Sequence, residues 1–226
     1  MTQTSHKVRV WDLPTRVFHW VLAFAVIGSV ATAKIGGNAM LWHFRIGYLV
    51  LTLLAFRLLW GLVGGRWSRF ASFVYSPSTL LRYLRGAHRP DEHLDVGHNP
   101  LGAGSVFALL AILAAQVGTG LIADDEIANA GPLVKFVSSA TSSLATGWHK
   151  NFGQWIIIGL VVLHLSAIAF YRFRRGRDLV GPMLSGDKLL AHHAPSSDDG
   201  VGMRGAALTL AALCAALVGW IVSLGA

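Results

Sequence analysis

Charged residues are scarce in this chain of 226 residues, at 13% of the sequence, whereas a globular protein has about 25%. Cysteine occurs once, as Cys214 within an apolar run, so the chain can build neither a disulfide framework nor a cysteine-based metal site. Hydrophobic residues make up 54% of the chain, and its mean hydropathy is +0.54. These values exclude a soluble enzyme, a disordered tail and a fibrous protein, and they indicate an integral membrane protein.

Basic residues outnumber acidic ones, 19 to 11, which gives a net charge of +8. Such a charge is also typical of nucleic-acid-binding proteins. Here, however, the charges lie in short runs between apolar stretches. We therefore expect the chain to contact membrane lipid and no nucleic acid.

Five apolar stretches approach the length of about 20 residues that a spanning helix needs. They are residues 17–33, 41–63, 101–122, 148–170 and 205–224. The sequence therefore predicts an all-α integral membrane protein with five transmembrane helices.

The first stretch carries a helix start signal, with Asp12 expected to cap the helix and Pro14 in its first turn. Residues 1–33 also resemble a secretory signal peptide that ends in the Ala-Thr-Ala run at 31–33. We favour a retained helix because the basic start is long and because His19 lies inside the apolar stretch. Tryptophans near the segment ends predict an aromatic belt at the membrane surfaces, formed by Trp42, Trp60, Trp67, Trp148 and Trp220.

Lys and Arg are distributed unevenly between the loops. Fourteen lie in the N-terminal segment, in residues 64–100 and in residues 171–204, whereas the two other loops hold only Lys34 and Lys135. By the positive-inside rule we expect a bacterial cytoplasmic (inner) membrane protein with a cytoplasmic N-terminus and a periplasmic C-terminus.

Four of the ten histidines lie at membrane depth: His19, His43, His149 and His164. Ionisable side chains within spanning helices are costly and usually functional, although a single one can serve as a hydrogen bond between helices. The other six lie in or beside the aqueous segments: His6, His88, His93, His98, His192 and His193.

Topology sorts the four buried histidines into two layers. His149 and His164 are 15 residues apart on one helix, so they share a face and lie about 22 Å apart along its axis. From the direction of each helix, we expect an outer pair, His43 with His149, and an inner pair, His19 with His164.

Two stacked imidazole pairs in a helical bundle match the needs of two six-coordinate haems. Metal ions are a weaker interpretation, because neither pair has a carboxylate or thiolate nearby. The haems would be non-covalent b-type, since the sequence contains no Cys-x-x-Cys-His motif. Small residues could let a flat ring approach the helices, or could simply serve close helix packing: Gly47, Gly153 and Gly159.

Arg57 lies 14 residues after His43, near the same helix face and at the depth of the inner pair. It could bind a haem propionate, or it could extend to the membrane surface. The same two interpretations apply to Arg16, Arg45 and Lys150. His98 is a rival inner ligand, but its position at the start of a helix favours a role in shaping that start.

Four sequence motifs together resemble the bacterial cytochrome b-561 family, which includes the b-type cytochrome subunits of nickel–iron hydrogenases. They are VWDLPTRVFHW at 10–20, HFRIGY at 43–48, GHNPLG at 97–102, and WH at 148–149 followed by YRFRRG at 171–176. The resemblance covers about residues 8–190. It implies a four-helix transmembrane bundle that holds two bis-His b haems, with the family's ligand positions falling on His19, His43, His149 and His164.

Domain boundaries follow from this resemblance. We expect a di-haem cytochrome b domain over residues 1–190, a polar linker over 191–204, and an extra C-terminal transmembrane helix over 205–226. The fifth helix departs from the usual bundle and contains no histidine, so we interpret it as an anchor or a subunit contact.

The resemblance implies electron transfer between the quinone pool and a periplasmic redox partner, either a c-type cytochrome or a hydrogenase-like subunit. An acidic run, Asp124-Asp125-Glu126, could steer such a partner or could be a solvated loop. An electron-carrier subunit is favoured over an independent enzyme.

Two alternatives stay open: a stand-alone haem oxidoreductase that exchanges electrons between a small molecule such as superoxide and quinone, and a haem-free membrane anchor or transporter. Candidates for quinone binding are Arg9, Arg16, His98 and Arg172.

Overall fold

The computed structural model describes residues 5–87 and 92–225; His88 and Arg89, which belong to the predicted cytoplasmic segments, lie outside these residues. Five helices are long and apolar enough to cross a membrane, which confirms the predicted number of spans. They are Leu13–Ile35, Gly37–Val63, Pro100–Leu121, Ser139–Arg175 and Val201–Ser223.

The elements follow one another as β1 (His6–Arg9), α1 (Leu13–Ile35), α2 (Met40–Val63), α3 (Pro77–Leu84), α4 (Pro100–Leu121), α5 (Ser139–Gly147), α6 (Gln154–Arg175), α7 (Val180–Ser185), β2 (Asp187–Leu190) and α8 (Val201–Ser223). A π-helical turn, Trp148–Gly153, joins α5 to α6, so the fourth span is one continuous helix that begins earlier than predicted. The described chain forms two compact units. The first unit comprises Met1–Val17, Arg57–Phe107 and His164–Leu208; the second comprises Phe18–Phe56, Ala108–Leu163 and Thr209–Ala226.

In the first unit, β1 and β2 pair as an antiparallel ribbon, with His6 opposite Leu190 and Arg9 opposite Asp187. This pairing joins the N-terminal segment to residues far along the chain, and the sequence patterns did not predict it. The core beneath the ribbon consists of Val8, Val10, Trp11, Trp67, Val96, Leu190 and Ala194.

The start of α1 is fixed by the buried carboxylate of Asp12. Asp12 Oδ1 accepts hydrogen bonds from the backbone N–H of Thr15 (2.8 Å) and from Trp60 Nε1 (3.2 Å). Its Oδ2 accepts from the backbone N–H of Gly65 (3.0 Å) and from Ser68 Oγ (2.6 Å). The helix-capping prediction is therefore confirmed, and the same side chain also holds the end of α2 against the start of α1.

The predicted tryptophan belt is partly wrong. Trp60 and Trp67 are only 1% and 8% exposed, because Trp60 donates to Asp12 and Trp67 Nε1 donates to the backbone oxygen of Pro195 at 2.8 Å. Trp42 and Trp220 are exposed, as a belt position requires.

Residues 191–204, predicted to be a polar linker, contribute to the interior of the first unit. Ser197 is buried, and its Oγ donates to the backbone oxygen of Val10 at 2.8 Å. The Asp199 carboxylate accepts from the backbone N–H of Leu13 (2.9 Å) and pairs with Arg9 (2.6 Å) and Arg204 (3.2 Å). Burial alone would raise the pKa of Asp199, but the hydrogen bonds from Arg204 and Leu13 and the two arginine charges outweigh it and lower the pKa.

The second unit is a helical bundle around a small apolar core contributed by α1, α2, α4 and α6. The buried members of that core are Ala25, Val50, Leu54, Leu113 and Ile157. In α8, Cys214 and Val218 are buried, so the cysteine lies within apolar surroundings as the sequence suggested.

Candidate functional site

Two of the four predicted ligand histidines face each other within the second unit. The imidazole rings of His43 (α2) and His149 (the π-helical turn) have centroids 6.0 Å apart and planes at 85° to each other. Both side chains are partly buried. The structure thus brings together the pair that topology assigned to one layer.

Each of these rings is anchored through its Nδ1 atom to a backbone carbonyl on a neighbouring helix. His43 Nδ1 lies 2.9 Å from the Ser29 oxygen in α1, and His149 Nδ1 lies 2.8 Å from the Gln116 oxygen in α4. Because a carbonyl oxygen only accepts, Nδ1 carries a proton in both rings, and in the neutral tautomer Nε2 then keeps the lone pair. The two imidazoles are therefore oriented and protonated as metal ligands are.

The place of the His149 ring depends on two neighbours in α4. Gly120 has no side chain where the ring lies: a Cβ there would be 2.8 Å from His149 Cε1 and 3.1 Å from Nδ1. The side-chain Nε2 of Gln116 donates to the His149 backbone oxygen at 2.9 Å, at the π-helical turn where helical hydrogen bonding is irregular. Sequence analysis missed both residues, although a glutamine in a charge-free span was a usable signal.

The predicted alignment of His149 with His164 along the fourth span stays a prediction. The expected alignment of His149 with His164 assumed regular α-helical rotation, whereas a π-helical turn adds residues without the corresponding rotation. Such turns are frequent at functional sites, because they turn one side chain out of the regular helical register.

A cavity of ≈ 520 Å³ lies against the two rings and is lined by residues of the second unit, a volume within the range of cofactor pockets. Gly47 lines this cavity, and a Cβ at Gly47 would meet no atom within 4 Å. Gly47 therefore leaves its face of α2 open to an occupant. Gly153 instead adjoins the Gln116 side chain and Trp148, so the packing interpretation suits it. Gly159 is exposed, and a Cβ there would meet no atom within 4 Å, so this glycine makes no close packing contact among the described residues.

Arg57 is buried in the first unit, with 3% of its surface exposed. Its guanidinium carbon lies 4.6 Å from the centroid of the Phe70 ring. Arg57 Nη1 is buried and has no hydrogen-bond partner among the described residues. A buried guanidinium with an unused donor is suited to bind an anion, and its burial disfavours the membrane-surface interpretation.

The other three candidate cations have different surroundings. Arg16 Nη1 donates to the Leu184 backbone oxygen at 2.6 Å, and its Nη2 is 3.9 Å from Asp199. Arg45 is exposed and stacks over Trp42, with 5.1 Å from its guanidinium carbon to the ring centroid. Lys150 lines the 520 Å³ cavity. Only Lys150 therefore adjoins the described site directly.

The remaining two ligand candidates lie in different units. His19, in α1, has its ring perpendicular to Trp20 at 5.2 Å, and His164, in α6, is half-buried. Their pairing stays a prediction. The rival candidate His98 packs between Trp11 and Phe73, with both ring centroids 4.6 Å away, which suits a packing role.

Comparison with known families decides what kind of protein carries these histidines. A family model described as prokaryotic cytochrome b561 matches residues 10–186. The chain belongs to the prokaryotic cytochrome b561 family. It is thus a multi-pass membrane b-type cytochrome that acts in electron transfer, and its all-α integral membrane fold is the one predicted.

Several curated relatives of this cytochrome carry one description. The probable Ni/Fe-hydrogenase 1 B-type cytochrome subunit of Escherichia coli (strain K12) is 28% identical over 202 residues, which cover 73% of this chain and 85% of the relative. The probable Ni/Fe-hydrogenase B-type cytochrome subunits of Bradyrhizobium diazoefficiens and Rhodobacter capsulatus are 22% and 23% identical, over 80% of this chain and 85% and 81% of theirs. No solved structure matches significantly.

A b-type cytochrome binds haem b, and the residues of this cytochrome fit that group. His43 and His149 would hold the group through their Nε2 atoms, and it would supply a one-electron redox couple there. The His43 and His149 centroids are 6.0 Å apart. The anchored Nδ1 atoms and the open face at Gly47 satisfy other needs of such a group.

Proposed function

We propose that this cytochrome carries electrons across the bacterial cytoplasmic membrane through two bis-His b haems. The outer pair of ligands is His43 and His149, and the inner pair is His19 and His164. One observation supports this proposal most directly. The rings of His43 and His149 face each other with centroids 6.0 Å apart, and each Nδ1 is hydrogen-bonded to a backbone oxygen. A bound haem b supplies the one-electron couple between ferric and ferrous iron.

The protein's own part is to orient the ligands and to set the electrostatic surroundings. The backbone oxygens of Ser29 and Gln116 fix both ring tautomers, so no proton needs to leave Nε2 before a metal binds. Arg57 would pair with a propionate of the inner group, because its Nη1 is buried without another acceptor among the described residues. Arg16, Arg45 and Lys150 are further propionate candidates, of which Lys150 is supported by its place at the cavity.

The redox partners are inferred from charge and from the relatives. The relatives named as hydrogenase cytochrome subunits support a hydrogenase-like periplasmic partner, and a c-type cytochrome is the alternative. Asp125 lines the 520 Å³ cavity. The Asn129 amide and the N–H groups of residues 127–129 hold the pKa of Asp125 far below its usual value, so a basic partner would meet a lasting negative charge there.

Quinone is the proposed partner on the cytoplasmic side. Arg9 is engaged by Asp187 and Asp199, at 2.5 and 2.6 Å, and Arg16 binds the Leu184 backbone oxygen. Arg172, at the end of α6, is exposed and is therefore the more available of the arginine candidates. The cytoplasmic N-terminus and periplasmic C-terminus rest on the uneven distribution of Lys and Arg.

The test is electron flow across a closed membrane. The protein is reconstituted into liposomes that contain trapped ferricyanide, and an impermeant reductant is added outside. We expect rapid reduction of the trapped ferricyanide by the wild type and at least a tenfold slower rate for His43→Ala and for His19→Ala. His6→Ala, in the aqueous strand β1, should keep the wild-type rate.

Each alternative predicts another outcome. A stand-alone oxidoreductase would rapidly oxidise superoxide to O2 as an isolated subunit, with added quinone as the electron acceptor and without trapped ferricyanide. A haem-free anchor or transporter would purify colourless, and its histidines would bind zinc. Unchanged electron flow in both histidine variants would contradict transfer through two haems.

A further inference from the structure

A second cavity, of ≈ 830 Å³, lies in the first unit where α4 begins and α6 ends. One part of its wall is apolar and exposed, and includes Leu101 and Phe170 within the spanning helices. The other part is polar and lies beyond the helix ends, and includes His93, His192 and Arg177. The cavity therefore crosses from apolar to aqueous surroundings.

The polar wall carries two arginines, Arg175 and Arg177, and one carboxylate, Asp95. No carboxylate of the described residues lies within 4 Å of the guanidinium groups of Arg175 or Arg177. Other basic residues of this unit do have carboxylate partners, such as Arg82 with Glu92 and Arg9 with Asp187. The charge at this cavity is therefore available to an anion from outside the chain.

Two imidazoles at the cavity also have unused polar atoms. The rings of His93 and His192 are stacked, with centroids 5.6 Å apart. His93 Nδ1 and His192 Nε2 are buried without a hydrogen-bond partner among the described residues, and the nearest carboxylate oxygen of Asp95 is 3.8 Å from His192 Nε2. Buried polar atoms of this kind need a partner.

Lys188 does not line the cavity but contacts Asp95, which does. Lys188 Nζ, in β2, donates to the backbone oxygens of Asp95 and Val96. Burial lowers the pKa of Lys188, the nearby Asp95 charge opposes that shift, and Arg177 adds to it.

We propose that this cavity binds a phosphate-bearing anion, and that its occupant is the headgroup of an anionic phospholipid. Arg175 and Arg177 would hold the phosphate, the imidazole pair would donate to it, and Leu101 and Phe170 would contact the acyl chains. Basic pockets between transmembrane helices are suited to such headgroups, and the apolar wall favours a lipid over free phosphate.

The test compares ligand binding by the purified holoprotein after delipidation. Native mass spectrometry counts bound dioctanoyl phosphatidylglycerol, with dioctanoyl phosphatidylcholine and inorganic phosphate as separate arms. Two arginines near an anionic headgroup each contribute about a fivefold gain in affinity, so we expect phosphatidylglycerol to bind about 25-fold more weakly to R175Q/R177Q.

A matched control removes the same charge elsewhere. Arg69 and Arg174 belong to the same unit, are exposed and do not line the cavity, so R69Q/R174Q should bind phosphatidylglycerol within about threefold of the wild type. Haem content, measured in all three proteins, should be equal and reports on folding independently of lipid.

Three results would overturn the proposal. Equal weakening in both double variants would indicate attraction to surface charge in general. Equal affinity of the wild type for the two lipids would exclude an anionic headgroup site. Full competition by inorganic phosphate at concentrations similar to the lipid would indicate a free anion as the ligand.

Discussion

Gly120→Ala tests whether the position of the His149 imidazole holds the outer haem. The added Cβ would be 2.8 Å from His149 Cε1, whereas carbon atoms in contact stay about 3.5 Å apart or more. The ring must therefore move by about 0.7 Å. That movement disturbs the 2.8 Å hydrogen bond from His149 Nδ1 to the Gln116 oxygen.

Loss of such an orienting hydrogen bond typically weakens metal binding by about 10- to 100-fold. We therefore expect Gly120→Ala to lose the outer haem at least tenfold faster when excess apomyoglobin captures released haem, and to contain less haem per chain. Helix destabilisation is not the cause, because alanine is favoured over glycine in a helix by about 1 kcal/mol.

Gly118→Ala is the matched control on the same helix. A Cβ at Gly118 would meet no atom within 4 Å, so this variant should keep wild-type haem content and release rate while gaining the same helix propensity. If Gly120→Ala and Gly118→Ala released haem equally slowly, with identical spectra, the assigned role of the His149 ring position would be refuted.

Three further perturbations test other parts of the account. Asp12→Ala should lower the free energy of unfolding by about 3–5 kcal/mol, measured by denaturation, because it leaves four buried donors without their acceptor; Asp12→Asn should recover part of the loss. Arg57→Gln should lower the midpoint potential of the inner haem by tens of mV in a redox titration, since removal of a buried positive charge favours the ferric state, whereas Arg57→Lys should change it less. The pKa values of Asp187 and Asp199 are lowered in the folded protein, so both carboxylates stabilise the fold at pH values above about 4. This stabilisation is lost as the pH falls through their pKa values in the folded state. The melting temperature should therefore fall less steeply below about pH 4 in Asp199→Asn than in the wild type.

The sequence alone predicted the features that follow from composition and periodicity. Five spans could be read from apolar length, because a bilayer imposes nearly the same length on every helix. His43 and His149 could be paired because helix direction fixes depth once the spans are known. Asp12 could be assigned as a helix cap because its spacing to the apolar run is short and local.

Features that depend on distant contacts escaped prediction. The ribbon between β1 and β2 joins segments almost 180 residues apart, as the pairing of Arg9 with Asp187 shows, and no local pattern encodes such a pairing. The position of Trp60 near a segment end predicts a place at the membrane surface. Its burial depends instead on the carboxylate of Asp12, 48 residues away, which no local pattern shows. The π-helical turn at His149 depends on packing against α4, where Gly120 leaves room for the ring and Gln116 binds the turn.

Four histidines are proposed to hold the two b haems of this cytochrome. The most direct measurement is haem per chain, from the reduced-minus-oxidised spectrum and the pyridine haemochrome of the purified protein, for the wild type and for the alanine variants of His19, His43, His149 and His164. We expect two low-spin haems in the wild type and one or fewer in each variant, with the variants of one pair losing the same spectral component. A wild type with no haem, or haem content unchanged by all four substitutions, would contradict this proposal.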